Sequence, residues 1–200
     1  MCTFKLAAVS NWGLYQGCHM DAGQEGYAKY LAGLLDPGKD MPYKPSLLIV
    51  REKNLPEEKY LQLFQMVWEQ CKGFPAMLIP HTYVKAARQA GCGCIHLPFP
   101  LFVKYRKPEG IGQVGVSIHS LKEAKQAESF GATYLTAGHI FQTDCKMGVP
   151  PRGIKFLEEI CGNVSIPVLA IGGINPGNLH QVRDAKAAGA CMMSEYMERR

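Results

Sequence analysis

GVSIHSLKEAKQAESFGATYLTAG, residues 115–138, decides the fold. It opens on a strand read as Gln113–Ser117, passes through a helix over Leu121–Phe130 and enters a second strand over Tyr134–Ala137. Ser120 with Glu123 three residues later forms a capping box, which satisfies amides that the first turn of a helix leaves unpaired. At the other end Gly131 supplies the helix stop, and the next strand follows within a few residues. A strand, a helix and a returning strand joined this way make a parallel βαβ unit.

Outward from this unit, the same helix-stop-strand ending recurs in Gln89-Ala90-Gly91-Cys92 and Ala188-Gly189-Ala190-Cys191. Strands are expected at Lys5–Val9, Ser46–Val50, Ala76–Ile79, Cys94–Leu97, Gln113–Ser117, Tyr134–Ala137, Val168–Ile171 and Cys191–Met193. Their short, continuous apolar runs suit burial on both faces. Helices are expected over Glu57–Cys71, with Leu61, Phe64, Val67 and Trp68 on one face, and over Arg152–Cys161 with Gly162 as its stop. Eight strands alternating with helices predict an α/β fold, a minimal (β/α)8 TIM barrel, as a single domain over residues 1–200. Two places are irregular. Asn11–Gly23, rich in Gly, Trp, Tyr and His, reads as a long loop over the barrel mouth. After the eighth strand only Glu195–Arg200 remain, so the C-terminal helix is reduced. The apolar flank this would expose makes a homodimer an expectation.

A hydrophobic share of 47% against 20% charged residues allows a sizeable core. The net charge of +5 is scattered, apart from Arg199-Arg200, which argues against nucleic acid and for an anionic small substrate. No run of about eighteen apolar residues exists to span a membrane. The first residues, MCTFKLAAVSN, read as a strand rather than a signal sequence. The eight cysteines form no CxxC pair, although Cys92 and Cys94 fall on one side of a strand. Reduced, mostly buried thiols in a cytoplasmic protein are expected, without disulfides or a metal site.

In such barrels the active site lies at the C-terminal ends of the strands. Arg51 and Lys53 leave the second strand on the same side of Glu52, suited to a phosphate or carboxylate, or else forming a solvated strand end with an ion pair to Glu52. Ser117 ends the fifth strand. His139 follows the sixth, in a loop with Thr143, Asp144 and Lys146, and is placed either to move protons or to serve the structure. Gly172 and Gly173 open the seventh strand towards a helix, where amides bind phosphate well, or merely turn the chain. Ser194 stands beside them after the eighth strand. His81 and His96 fall near the rim, His119 near a helix start, and His19 and His180 on loop or helix surface.

LIVREKNLPEEKYL (48–61), GVSIHSLKEAKQAESFGATYLTAGHIFQTDCKMG (115–148) and IPVLAIGGINPGNL (166–179) together resemble, in order and spacing, the thiamine phosphate synthase superfamily over about residues 45–194. The resemblance implies a (β/α)8 barrel. It implies that Arg51, Lys53, Thr143 and Lys146 bind the pyrophosphate of a pyrimidine substrate, and that Gly172, Gly173 and Ser194 hold a thiazole phosphate. Synthases of this kind also carry an Asn-Asp pair after strand three and an Asp after strand four that support Mg2+. Here those stretches read Pro80-His81-Thr82 and His96-Leu97-Pro98-Phe99-Pro100-Leu101, without a carboxylate. The Gln with which synthases read the pyrimidine, two residues before the Arg, is Ile49.

Gly138-His139, Thr143-Asp144-Cys145-Lys146 and Leu97-Pro98 instead resemble the TenI thiazole tautomerase branch. That branch implies an isomerase that aromatises a carboxythiazole phosphate by moving a proton from ring C2 to the exocyclic carbon. His139 would be the acid–base group, Ser117 would join the substrate-binding set, and no cofactor or metal is needed. The alternatives are a Mg2+-dependent thiamine phosphate synthase, or a non-catalytic barrel that binds the thiazole phosphate or thiamine phosphate as a regulator.

Overall fold

The computed structural model describes residues 4–19 and 23–199; Cys2, residues 20–22 of the Asn11–Gly23 stretch and Arg200 lie outside the described residues. Eight strands form: β1 Lys5–Val9, β2 Leu47–Val50, β3 Met77–Pro80, β4 Cys94–Pro98, β5 Gln113–Ile118, β6 Tyr134–Gly138, β7 Val168–Ile171 and β8 Gly189–Met192. They pair in parallel in the order β3-β2-β1-β8-β7-β6-β5-β4. The two outer strands curl round to meet at a His81–His96 bridge, where the Thr82 amide donates to His96 O at 3.0 Å. The result is a (β/α)8 barrel, as expected.

Alternation along each strand explains why the runs are apolar throughout. Ala7, Val9, Leu47, Ile49, Ile79, Leu169 and Cys191 pack inside the barrel. Ala8, Leu48, Val50, Ala190 and Met192 face the helices. Both faces of every strand are therefore withdrawn from water. The outer layer is α1 Trp12–Cys18, α2 Gln24–Leu35, α3 Glu57–Gln70, α4 Val84–Gln89, α5 Phe99–Tyr105, α6 Leu121–Ser129, α7 Gly153–Asn163, α8 Leu179–Asp184 and α9 Ser194–Met197. No helix among the described residues is long and apolar enough to cross a membrane.

The α6 cap forms with a shift. Ser120 Oγ accepts from the Glu123 amide at 3.1 Å, but Glu123 Oε2 accepts from the His119 amide at 2.6 Å rather than from that of Ser120. Gly91 and Gly131 occupy the left-handed position after α4 and α6, at φ +66° and +89°. The third repeat differs. After α8 that position belongs to Lys186, at φ +61°, and Gly189 is already the first residue of β8, where a Cβ would overlap Lys5 O.

Other expectations need correction. Gly162 lies inside α7, which runs on to Asn163. The buried face of α3 is Tyr60, Leu63, Phe64 and Val67, while Trp68 sits exposed at its edge. The described part of Asn11–Gly23 is largely the helix α1, capped by Asn11 Oδ1 accepting from the Leu14 amide at 3.1 Å. Trp12 and Tyr15 hold α1 down by packing on Tyr27, with ring centroids 4.7 Å apart in both cases. The reduced last helix α9 is a single turn, yet Tyr196 and Met197 are fully buried. The large exposed apolar side chains are Tyr43, Trp68, Tyr105, Met147 and Val149, none of them on β8 or α9. The bare flank that suggested a homodimer is therefore not found among the described residues. The described cysteines are all free, but only Cys92 and Cys191 are fully buried and Cys145 is exposed.

Candidate active site

At the C-terminal ends of the strands lies a cavity of about 230 Å³. Arg51, Lys53, Ser117, His139, Thr143, Lys146, Gly172, Gly173 and Ser194 all line it. Strand ends far apart in sequence thus converge on one space. It widens into an outer mouth of about 470 Å³, where Thr143, Gly173 and Ser194 are joined by Asp144, Glu195 and Arg199.

One wall is cationic. Alternation past β2 sends Arg51 and Lys53 to the cavity and Glu52 the other way. Glu52 is buried and accepts from Ser10 Oγ at 2.5 Å, Tyr27 OH at 2.6 Å and the Trp12 amide at 3.0 Å. Ser10 Oγ in turn accepts from the Arg51 amide at 2.7 Å. The ion pair with Glu52 considered above does not form, and Glu52 instead fixes the backbone that presents the two cations. Lys146 joins them from the 3-10 turn Asp144–Lys146. Burial lowers the Lys53 pKa, and Arg51 and then Lys146 lower it further by repulsion. Burial also lowers the Arg51 pKa, partly opposed by Glu52 and Cys145. The one salt bridge among the described residues is Lys72–Glu69, on the outside at α3. The cavity therefore holds positive charge with no carboxylate on its lining, an arrangement that favours an anion.

Another part of the lining is glycine. Gly172 and Gly173 have φ of +98° and +64°. A Cβ on Gly172 would overlap that of His139, and one on Gly173 would overlap Gln142 O. The Ile140 and Phe141 amides donate to Ile171 O and Gly172 O at 3.0 and 2.9 Å. The glycines thus let the segment after β6 lie directly on that after β7. The helix start expected beside them is displaced, since α8 begins only at Leu179. The intervening turn is held by Asn178 Nδ2 donating to Gly173 O at 2.8 Å. His139 is buried on the cavity edge, its Nε2 3.2 Å from Val149 O.

The floor was not anticipated. His96 does not reach the rim but stands inside the barrel, with Nδ1 2.9 Å from Tyr134 OH and Nε2 2.8 Å from Ser117 Oγ. Thr136 Oγ1 donates to Ser117 Oγ at 3.2 Å. Gly115 makes room for this network, because the Tyr134 ring occupies the place a Cβ would take. Complete burial holds His96 neutral, with its pKa lowered to about 3. The strand alternation places His96, Ser117 and Thr136 inward and was the available signal. His81, Pro98, His119 and Cys145, also on the lining, were not assigned to the site from sequence. His119 Nδ1 lies 2.8 Å from Gly138 O, while Ile49, at the synthases' Gln position, points into the apolar interior.

The Mg2+ implied by a synthase resemblance finds no fitting donors. A hard divalent ion takes oxygen ligands, carboxylates above all. The ends of β3 and β4 offer the His81 ring and Pro98. His81 and His96 stack with centroids 5.4 Å apart, and both are buried. Among the described residues no group of three or more His, Cys, Asp or Glu is placed to hold a metal ion.

The sequence profile of the family described as thiamine monophosphate synthase matches residues 39–196. A thiamine-phosphate synthase 2 of Streptococcus pneumoniae is 33% identical over 158 residues, covering 76% of this chain and 74% of its own. The thiamine-phosphate synthase of Halalkalibacterium halodurans is 32% identical over 156 residues, with the same coverage. Among solved structures, a thiamine phosphate pyrophosphorylase from Pyrococcus furiosus superposes with a TM-score of 0.76 at 26% identity, covering 98% of this chain and 88% of that one. These relatives overturn the expectation of a thiazole tautomerase, and with it the isomerase role for His139. Although the ends of β3 and β4 lack carboxylates, the similarity across most of the chain runs to proteins named as thiamine-phosphate synthases. The chain belongs to the thiamine monophosphate synthase family.

Proposed function

We propose that this chain is a transferase that couples a hydroxymethylpyrimidine, carried as its pyrophosphate ester, to a phosphorylated thiazole, giving thiamine phosphate. The observation that carries the reading is that Arg51, Lys53 and Lys146 line one cavity together with Gly172, Gly173 and Ser194. The names of the relatives point the same way. In this reaction the carbon–oxygen bond to pyrophosphate breaks and its electron pair leaves with the pyrophosphate. The thiazole nitrogen supplies the pair for the new carbon–nitrogen bond, so no proton need move. Arg51, Lys53 and Lys146 balance charge growing on the departing oxygens, where fixed cations act most strongly. Thr143, on the same lining, donates to the same group. Gly172, Gly173 and Ser194 hold the thiazole phosphate, and Ser117, oriented by His96, faces the ring between them.

Purified protein given both substrates is expected to form thiamine phosphate, followed by mass spectrometry. Lys146→Ala should lower kcat/KM by roughly 10²–10³. Absence of product with both substrates saturating, with or without Mg2+, would overturn the reading in favour of binding without turnover.

A further inference from the structure

We infer that the pyrophosphate half of this pocket works without a divalent cation, with Arg51, Lys53 and Lys146 taking the place of the ion. The inference rests on the proposal that a pyrophosphate group enters the cavity, and it names what neutralises that group. Three features carry it. The cavity lining contains three cationic side chains and no carboxylate. Glu52, between Arg51 and Lys53 in sequence, is turned away and bound by Ser10, Tyr27 and Trp12, while Asp144, Glu195 and Glu198 line only the outer mouth. Beside the cations, where β3 pairs with β2, the ends of β3 and β4 present His81 and Pro98, and His81 Nδ1 is 2.5 Å from Thr82 Oγ1.

A divalent ion among these groups would meet an existing cluster of positive charge. No carboxylate on the lining faces these cations, and Glu52 lies on the other side of the backbone. A pyrophosphate supplies the counter-charge directly, and Arg51 can bind two of its oxygens side by side. When Mg2+ chelates pyrophosphate it removes negative charge from the ligand, so in this pocket it should weaken the attraction.

The test is calorimetric titration of inorganic pyrophosphate into the whole protein, in excess EDTA and in excess Mg2+. Binding is expected in EDTA, weaker in Mg2+, and reduced about tenfold or more in EDTA by Lys146→Ala. Lys146 is exposed, so an unchanged melting temperature will separate lost binding from lost folding. Binding that needs Mg2+, or tightens with it, overturns the inference, as does no binding in either condition. If pyrophosphate binds in EDTA but the two substrates never couple, the metal-free site stands and the transferase proposal falls. If the substrates couple only with Mg2+ and pyrophosphate binds only with Mg2+, the outcome is the reverse.

Discussion

Arg51, Glu52 and Lys53 are neighbours in sequence that separate in space, and the separation follows from backbone alternation alone. What alternation could not reveal was the company each side would keep: Ser10, Tyr27 and Trp12 around Glu52, and Lys146 beside Lys53. Because the Lys53 pKa is depressed in the empty site, a bound anion must raise it again. Anion affinity is then fullest below the empty-site value and falls as pH rises through it, beginning below the ordinary lysine value of 10.5. Pyrophosphate titrations at rising pH should show this loss. Lys53→Arg, whose guanidinium stays charged, should flatten it relative to the wild type. Identical pH profiles for the two proteins would remove Lys53 from the binding wall. At this scale the sequence identified the cavity-lining residues it singled out, but not the hydrogen bonds that aim them.

The junction of β3 with β4 shows the limit at the level of elements. Strand positions were legible to within a residue or two, because apolar runs bounded by Gly, Pro and polar residues leave few alternatives. The contacts at the closing seam were not, since they depend on two histidines 15 positions apart in sequence, whose rings stack there. His96 has its pKa lowered from 6.5 to about 3 by burial and by Arg51. His81 is also pushed well down, by burial, by His96 and by Arg51 and Lys53. Both are neutral in the fold and would charge on unfolding at acid pH. The contribution of His96 to stability is complete above 6.5 and is lost as pH falls from there towards about 3. It can contribute up to about 1.4 kcal/mol per pH unit across that interval. Melting temperature should therefore drop steadily below pH 6.5, and His96→Gln should make that acid limb shallower. A limb of equal steepness in the variant would show that His96 does not titrate in the unfolding step. The repeated Ala-Gly pattern marks a further limit at this scale: it identified three strand entries, but in the third the glycine serves close strand packing rather than the helix stop.

Across the whole molecule, the last turn ties the two ends of the barrel together. Tyr196 is fully buried and donates to Tyr43 O at 2.6 Å, while the Tyr30 hydroxyl donates to Tyr196 O. A single-turn helix thus seals the β8–β1 side that a longer one commonly covers. Tyr196→Ala should destabilise the protein by about 3–5 kcal/mol, read as a lower urea midpoint at unchanged slope. A change under about 1 kcal/mol would show that α9 is not part of the cooperative unit. The sequence by itself determined the eight-stranded barrel, the superfamily and part of the set of residues at its C-terminal rim. These follow from periodicity, helix stops and motif order, all of which are local along the chain. Only the tertiary structure decided where charge is balanced and where it is not. It surrounds Glu52 with Ser10, Tyr27 and Trp12, brings Lys146 near Lys53, and builds the Tyr134–His96–Ser117 floor. Burial, desolvation and repulsion between charges depend on distances through space, and those are set only when the strands close.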